Sequence, residues 1–156
     1  MSYLFFVRHG QGTLDGGHYD QLSELGRVQS RMLGEVWAAR DFKIDHVYSG
    51  TQKRHRQTAE TVAASYETNG LKFPEITKDE RFNEIVNAWI NERIPDFDGM
   101  SWKEYCRLVL DASSELGKYD RGDRIVIFTS GNPIGIYVKE ALGISDAKAL
   151  ELVGNL

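Results

Sequence analysis

Short runs of unbroken apolar residues alternate along the chain with longer segments whose apolar positions recur every three to four residues. Tyr3 to Val7 (YLFFV) is such a run and reads as a strand buried on both faces. Ser23 has the character of a helix cap, with Glu24 in the first turn. Leu25, Val28, Met32 and Val36 follow at helical spacing, which predicts a helix to about Arg40. His46 to Ser49 is a short second strand. Thr51 can cap the next helix, whose inner stripe is Ala59, Val62, Ala63 and Tyr66. Lys72 to Thr77 reads as a strand that Pro74 demotes to an edge. Ser101 to Glu104 (SWKE) has the form of a capping box, and Trp102, Tyr105, Val109, Ala112 and Leu116 continue that helix on one face. Arg124 to Thr129 (RIVIFT) is the second strongly buried strand. Asn132 as cap and Pro133 at the first helical position open a last helix. Strands alternating with helices of this length imply right-handed crossovers and a mostly parallel central sheet. No internal repeat, low-complexity stretch or linker interrupts the pattern.

Composition narrows the setting. The 156 residues suit one compact domain spanning 1–156, and 41% hydrophobic with 27% charged residues is ordinary for a soluble globular protein. A net charge of −4 provides no basic field for nucleic acid. Cys106 is the only cysteine, so a disulfide framework and a Cys-rich metal site are excluded. No apolar run approaches the ~18 residues of a membrane span. The first residues, MSYLFFVRHG, lack the basic region and cleavage-like site of a signal peptide, and a cytoplasmic protein is expected. His18, His46 and His55 have no metal-ligand spacing and read as surface or supporting groups. No metal or cofactor is expected. Oligomeric state is not legible.

The chemistry gathers where strands end. In open α/β sheets ligands bind outside the carboxyl ends of the strands. Three strands here run into small or polar loops that lead to helices: RHGQG, YSGT and TSGNP. Helix N-termini there present unpaired N–H groups to an anion. Arg8 adds a planar fork suited to phosphate oxygens, and Arg54 lies in the first turn of the helix after YSGT. Two arginines, helix N-termini and glycines that admit close backbone approach describe a phosphate pocket. His9 inside it can act as a nucleophile on phosphorus, forming a phosphohistidine. Cys106 is a poor rival: a cysteine-dependent phosphatase needs an arginine six residues on, and Ala112 stands there.

VRHGQ, followed by LSELGRVQS, YSGTQKRHRQTAE and RFNE, resembles the histidine phosphatase superfamily in its phosphoglycerate-mutase-like branch, from Leu4 to about Gly143. The resemblance implies a three-layer α/β/α sandwich with a mostly parallel sheet. It implies that His9 is the nucleophile, that Arg8 and Arg54 hold the phosphoryl group, and that Glu84 protonates the leaving oxygen and then activates water. Gln11 and Ser49 match positions lining the pocket. One departure stands out. The family presents a second histidine after its last buried strand, in a segment like V-S-H-G. Here Phe128-Thr129-Ser130-Gly131 places Ser130 at that position, with Gly131 after it. A serine can donate one hydrogen bond to a phosphoryl oxygen but carries no charge. The family also continues past a GN-like segment with one more strand, whereas this chain stops at Gly154-Asn155-Leu156, which leaves truncation open.

Two function classes follow. The first is a metal-independent phosphomonoesterase acting on a phosphorylated small molecule or a phosphoprotein. The second is a catalytically weak phosphate-binding module, which Ser130 favours and the intact His9, Arg8, Arg54 and Glu84 oppose. A phosphoglycerate-type mutase is disfavoured, because only about forty residues separate Glu84 from the RIVIF strand. Trp89, Ile94, Phe97 and Trp102 could form an apolar lid or pack beneath a loop.

Overall fold

The computed structural model describes residues 2–13, 20–84 and 100–154. Its elements run β1 (Tyr3–Arg8), α1 (Glu24–Ala39), β2 (His46–Ser49), α2 (Lys53–Thr68), β3 (Ile76–Lys78), a 3-10 turn (Glu80–Phe82), α3 (Trp102–Leu116), β4 (Arg124–Thr129), α4 (Gly131–Leu142) and α5 (Asp146–Gly154). The strands lie in the order β1-β4-β2-β3, and every neighbouring pair is parallel. Successive side chains of a strand point to opposite faces, and β4 shows the consequence. Val126 and Phe128 pack with Val47, Ala59, Val62 and Tyr66 beneath α1 and α2. Ile125 and Ile127 turn the other way, to Phe82 and to Ala112 and Leu116 of α3. Trp102, Tyr105 and Val109 of α3 then bury Ile136 of α4. The result is the α/β/α sandwich that the resemblance implies, around the parallel sheet that the chain pattern predicts.

Three details differ from the pattern. β1 is not buried on both faces. It lies at the edge of the described sheet beside β4, and Leu4 to Val7 are only half-buried. β4 takes the middle position, and its Ile125 to Phe128 are wholly shielded from solvent. The topology, not the apolarity of a run, decides which strand is enclosed.

α1 forms as expected, with the Ser23 side chain accepting from the Gly26 N–H. Yet its apolar stripe is not the face it buries. Leu25, Met32 and Val36 are exposed, while Gly26, Ser30, Gly34 and Ala38 are buried. α1 packs so close to α2 that a Cβ on Gly34 would stand 2.6 Å from Cβ of Ser65. Only small residues fit such a contact.

α4 is capped by Ser130 rather than Asn132, and Pro133 is its third residue. Proline is still tolerated there, because the first turn has no intrahelical partner for its N–H groups. The remaining elements match: the capping box of Ser101 and Glu104 is closed in both directions, and the five apolar α3 positions are buried. The α2 stripe is buried at Ala59, Val62 and Tyr66 and half-buried at Ala63. β3 is an edge strand that starts only at Ile76. Among the described residues no helix is long and apolar enough to cross a membrane. Trp89, Ile94 and Phe97 lie outside the described residues, whereas Trp102 is a buried residue set edge-on against Tyr105.

Candidate active site

β1 and β2 send their chains to the α1/α2 face, and β4, between them, sends its chain to α4 on the other face. Connections that part to opposite faces open a crevice at the carboxyl ends of the strands. His9 follows β1, Gly50 and Arg54 follow β2, and Ser130 follows β4, so all three loops expected to converge do so. Their ends are held together by backbone bonds: His9 N–H donates to Thr129 O at 2.9 Å and Gly50 N–H to Phe128 O at 3.0 Å.

His9 is buried, and its Nδ1 lies 2.7 Å from the carbonyl of Gly10. A carbonyl only accepts, so Nδ1 carries the hydrogen and Nε2 is the lone-pair nitrogen. Burial holds the imidazole below its usual pKa, with the positive charges of Arg54 and Arg8 acting in the same direction and the Gly10 carbonyl opposing. The ring is thereby kept neutral, the form a nucleophile needs.

Arg54, in the first turn of α2, is the hub. Its Nε donates to His9 Nε2 at 3.1 Å, Nη1 to Asp20 Oδ1 at 2.9 Å, and Nη2 to Glu84 Oε2 at 2.9 Å and Ser130 Oγ at 3.4 Å. Four of the residues singled out in the sequence, His9, Arg54, Glu84 and Ser130, therefore meet at one guanidinium. Arg8 closes β1 with an exposed side chain that makes no hydrogen bond or ion pair among the described residues. Gly131 is the first residue of α4, at that helix's N-terminus.

Glu84 is brought here by a clamp. Gln52 Nε2 donates to the Glu84 carbonyl at 3.0 Å, and the Glu84 N–H donates to Gln52 Oε1 at 3.1 Å. One residue earlier, Asn83 Oδ1 accepts from the Gln52 N–H at 3.1 Å, and the Asn83 carbonyl accepts from Tyr105 at 2.7 Å. Asn83 and Asp20 thus cap α2 from outside it, since Asp20 Oδ2 also accepts from the Lys53 N–H at 3.1 Å. Thr51, the expected cap, instead accepts from the Asn83 side chain at 2.7 Å.

Gln11 is exposed, and its Oε1 accepts from the Ser23 hydroxyl at 2.9 Å, so it buttresses the start of α1. Ser49 is fully buried and donates to Gly50 O at 2.8 Å, sealed beneath the loop. Of the two expectations for His55, surface or supporting, burial excludes the first: it is wholly shielded, with its ring centroid 5.5 Å from that of His9. Arg56 is half-buried. Asp20 and Gln52 were not singled out at all. Asp20 lies in the same β1–α1 connection as His9, beyond the RHGQG motif, and no periodicity marks it. His46 lies at the far end of β2 against Asp123 and Tyr119, His18 lies outside the described residues, and Cys106 is a half-buried packing residue.

A cavity of about 270 Å³ opens beside Arg8, His9 and Thr58. A larger one, about 670 Å³, lies before β2 among Phe42, Ile44, Tyr66 and Leu71, away from His9 and Arg54. Among the described residues no cluster of three His, Cys, Asp or Glu side chains is placed to hold a metal ion.

Residues 4–86 match the model of the Histidine phosphatase superfamily (branch 1). The chain is 28% identical to phosphoglycerate mutase-like protein 4 of Arabidopsis thaliana, over 84% of this chain and 67% of that protein. Among solved structures it resembles a mycobacterial glucosyl-3-phosphoglycerate phosphatase, with 23% identity, a TM-score of 0.67, and 96% and 83% of the two chains covered. It also resembles a phosphoserine phosphatase mutant from Entamoeba histolytica in complex with phosphoserine, with 19% identity, a TM-score of 0.69, and 97% and 85% covered. These two likenesses concern the fold, and both neighbours are phosphatases.

Proposed function

Because the chain belongs to the histidine phosphatase superfamily, we propose that it hydrolyses phosphomonoesters through a phosphohistidine on His9. The observation that carries this reading is the His9–Arg54 contact, in which a neutral imidazole with Nδ1 committed to Gly10 O aims Nε2 at the buried guanidinium. Nε2 attacks phosphorus while the bond to the leaving oxygen breaks. Glu84 gives its proton to that oxygen. Its carboxylate then takes a proton from water, which attacks the phosphohistidine, frees inorganic phosphate and returns His9 to its starting state. Arg54 and Arg8 stabilise the phosphoryl charge, and the N–H groups at Gly131 contribute at the α4 N-terminus. Asp20, more than half exposed, is the carboxylate that yields Arg54 to the incoming anion, whereas Glu84 is held by its backbone clamp.

The substrate class is a phosphorylated small molecule or phosphoprotein. Hydrolysis in this reading needs no metal, and the protein works in the cytoplasm. A second reading, a weak phosphate-binding module, draws on one observation: both Nη groups of Arg54 are already engaged by carboxylates. The two readings separate in one experiment. Brief incubation with labelled p-nitrophenyl phosphate, with and without EDTA, should give turnover in both and an acid-labile, base-stable adduct that His9→Ala abolishes. Binding of phosphate without turnover supports the second reading. A label on serine or cysteine overturns the mechanism, and loss of turnover with EDTA overturns its metal independence.

A further inference from the structure

The proposed mechanism gives no part to the buried imidazole of His55. His55 sits on α2 next to Arg54, fully shielded, with Nε2 2.6 Å from Ser130 Oγ. Ser130 Oγ also accepts from Arg54 Nη2 at 3.4 Å. Resting on the phosphohistidine reading, we infer that His55 is a positioning residue: through Ser130 it fixes the donors that surround the phosphoryl group on His9.

Three elements are shaped around this pair. Ser130 is the N-cap of α4, yet its side chain makes no capping bond and turns to His55 instead. A serine cap is ordinarily favoured, so its diversion shows where the hydroxyl is held more strongly. Gly50, after β2, leaves the room the imidazole fills: a Cβ there would lie 2.3 Å from His55 Nδ1. α2 supplies the histidine one residue beyond Arg54, so guanidinium and imidazole move as one rigid unit. Burial, with the charge of Arg54 beside it, keeps the ring neutral. A neutral ring adds no second cation against Arg54. Ser130 Oγ thus stands between a guanidinium and a neutral imidazole, both carried by α2.

The pair acts in two ways. It pins the Ser130 hydroxyl, which would otherwise rotate among three staggered positions. It also backs the Nη2 edge of Arg54, whose Nε faces His9. Displacing a positioned donor from a transferring group is felt mainly in the rate of the chemical step.

The test is a double-substitution cycle on kcat and KM for p-nitrophenyl phosphate, with His9→Ala as the control for the parent reading. His55→Leu removes both ring nitrogens and should lower kcat about tenfold or more with a smaller change in KM. His55→Gln keeps a polar group near Nε2 and should stay within about threefold of the wild type. In a Ser130→Ala background, His55→Leu should cost less than about threefold further, because the partner is already gone. Equal effects of the Leu and Gln substitutions, or additivity with Ser130→Ala, would assign His55 to packing alone and overturn the proposal. If His55→Leu does not fold, His55→Gln and Ser130→Ala still decide: Ser130→Ala must then show the same kcat-dominated loss. A wild type that binds inorganic phosphate without turnover sinks the parent reading, and the pair is then judged by phosphate affinity. An affinity unchanged by His55→Leu, or by Ser130→Ala where His55→Leu does not fold, overturns it on that measure as well.

Discussion

At the scale of single residues, the site rests on how charge is distributed around Arg54. Glu84 faces it at 2.9 Å and is mostly shielded, so its carboxylate is poised beside the phosphoryl site rather than in bulk water. If it delivers the proton to the leaving oxygen, the need for it scales with the basicity of that oxygen. Glu84→Gln should slow alkyl phosphates at least tenfold more than p-nitrophenyl phosphate, whose leaving group departs with little protonation. Equal losses on both, measured side by side as kcat, would place the acid elsewhere, with Asp20 the nearest alternative. His9 offers a second measurement. Burial lowers its pKa from 6.5, so an NMR titration of the ring should give a midpoint below that value. A midpoint at or above 6.5 would mean that His9 is not held neutral by its surroundings.

At the scale of elements, α1 separates two meanings of an apolar stripe. Leu25, Val28, Met32 and Val36 mark the segment as a helix, but its buried positions are Gly26, Ser30, Gly34 and Ala38, with Gly26 against the Gln11 backbone and Gly34 against Ser65 of α2. Burying small residues lets two backbones approach and shifts stability from side-chain area to close backbone fit. Gly34→Val should therefore destabilise the fold by about 1–3 kcal/mol through overpacking against Ser65. Met32→Ala, on the exposed face, should stay within about 0.5 kcal/mol. Urea denaturation of the two variants checks the contrast, and the reverse ranking would restore the apolar stripe as the buried face. The loops behave similarly. Helix caps are legible when they lie next to the helix, as with Ser23 and Ser101, and illegible when they come from elsewhere, as Asp20 and Asn83 do for α2.

At the scale of the whole molecule, the buried His55 ties folding to acidity. In the unfolded chain a histidine titrates near 6.5, whereas burial pushes His55 down to about 2 in the native state. Below pH 6.5 the unfolded state therefore binds a proton that the native state refuses, and stability falls as pH falls. At about 1.4 kcal/mol per pH unit, lowering the pH from 6.5 to 4.5 should remove roughly 2–3 kcal/mol on account of this residue. His9, also lowered, acts with the same sign. Urea melts at both values should show the loss, and His55→Gln should flatten it; an unchanged slope in that variant would relieve His55 of the role. The sequence by itself determined the order of strands and helices along the chain, the parallel sheet and the placing of His9 and Arg54 at strand ends, because periodicity, capping chemistry and short motifs are local properties of neighbouring residues, whereas Glu84 and Ser130 were marked only by the family resemblance. The tertiary structure decided that β4 rather than β1 is enclosed, that α1 turns its small residues inward, and that Asp20 meets Arg54, Gln52 meets Glu84 and His55 meets Ser130. Those outcomes depend on which distant segments come to share a strand end or a helix face, and no window of the chain contains both partners of such a contact.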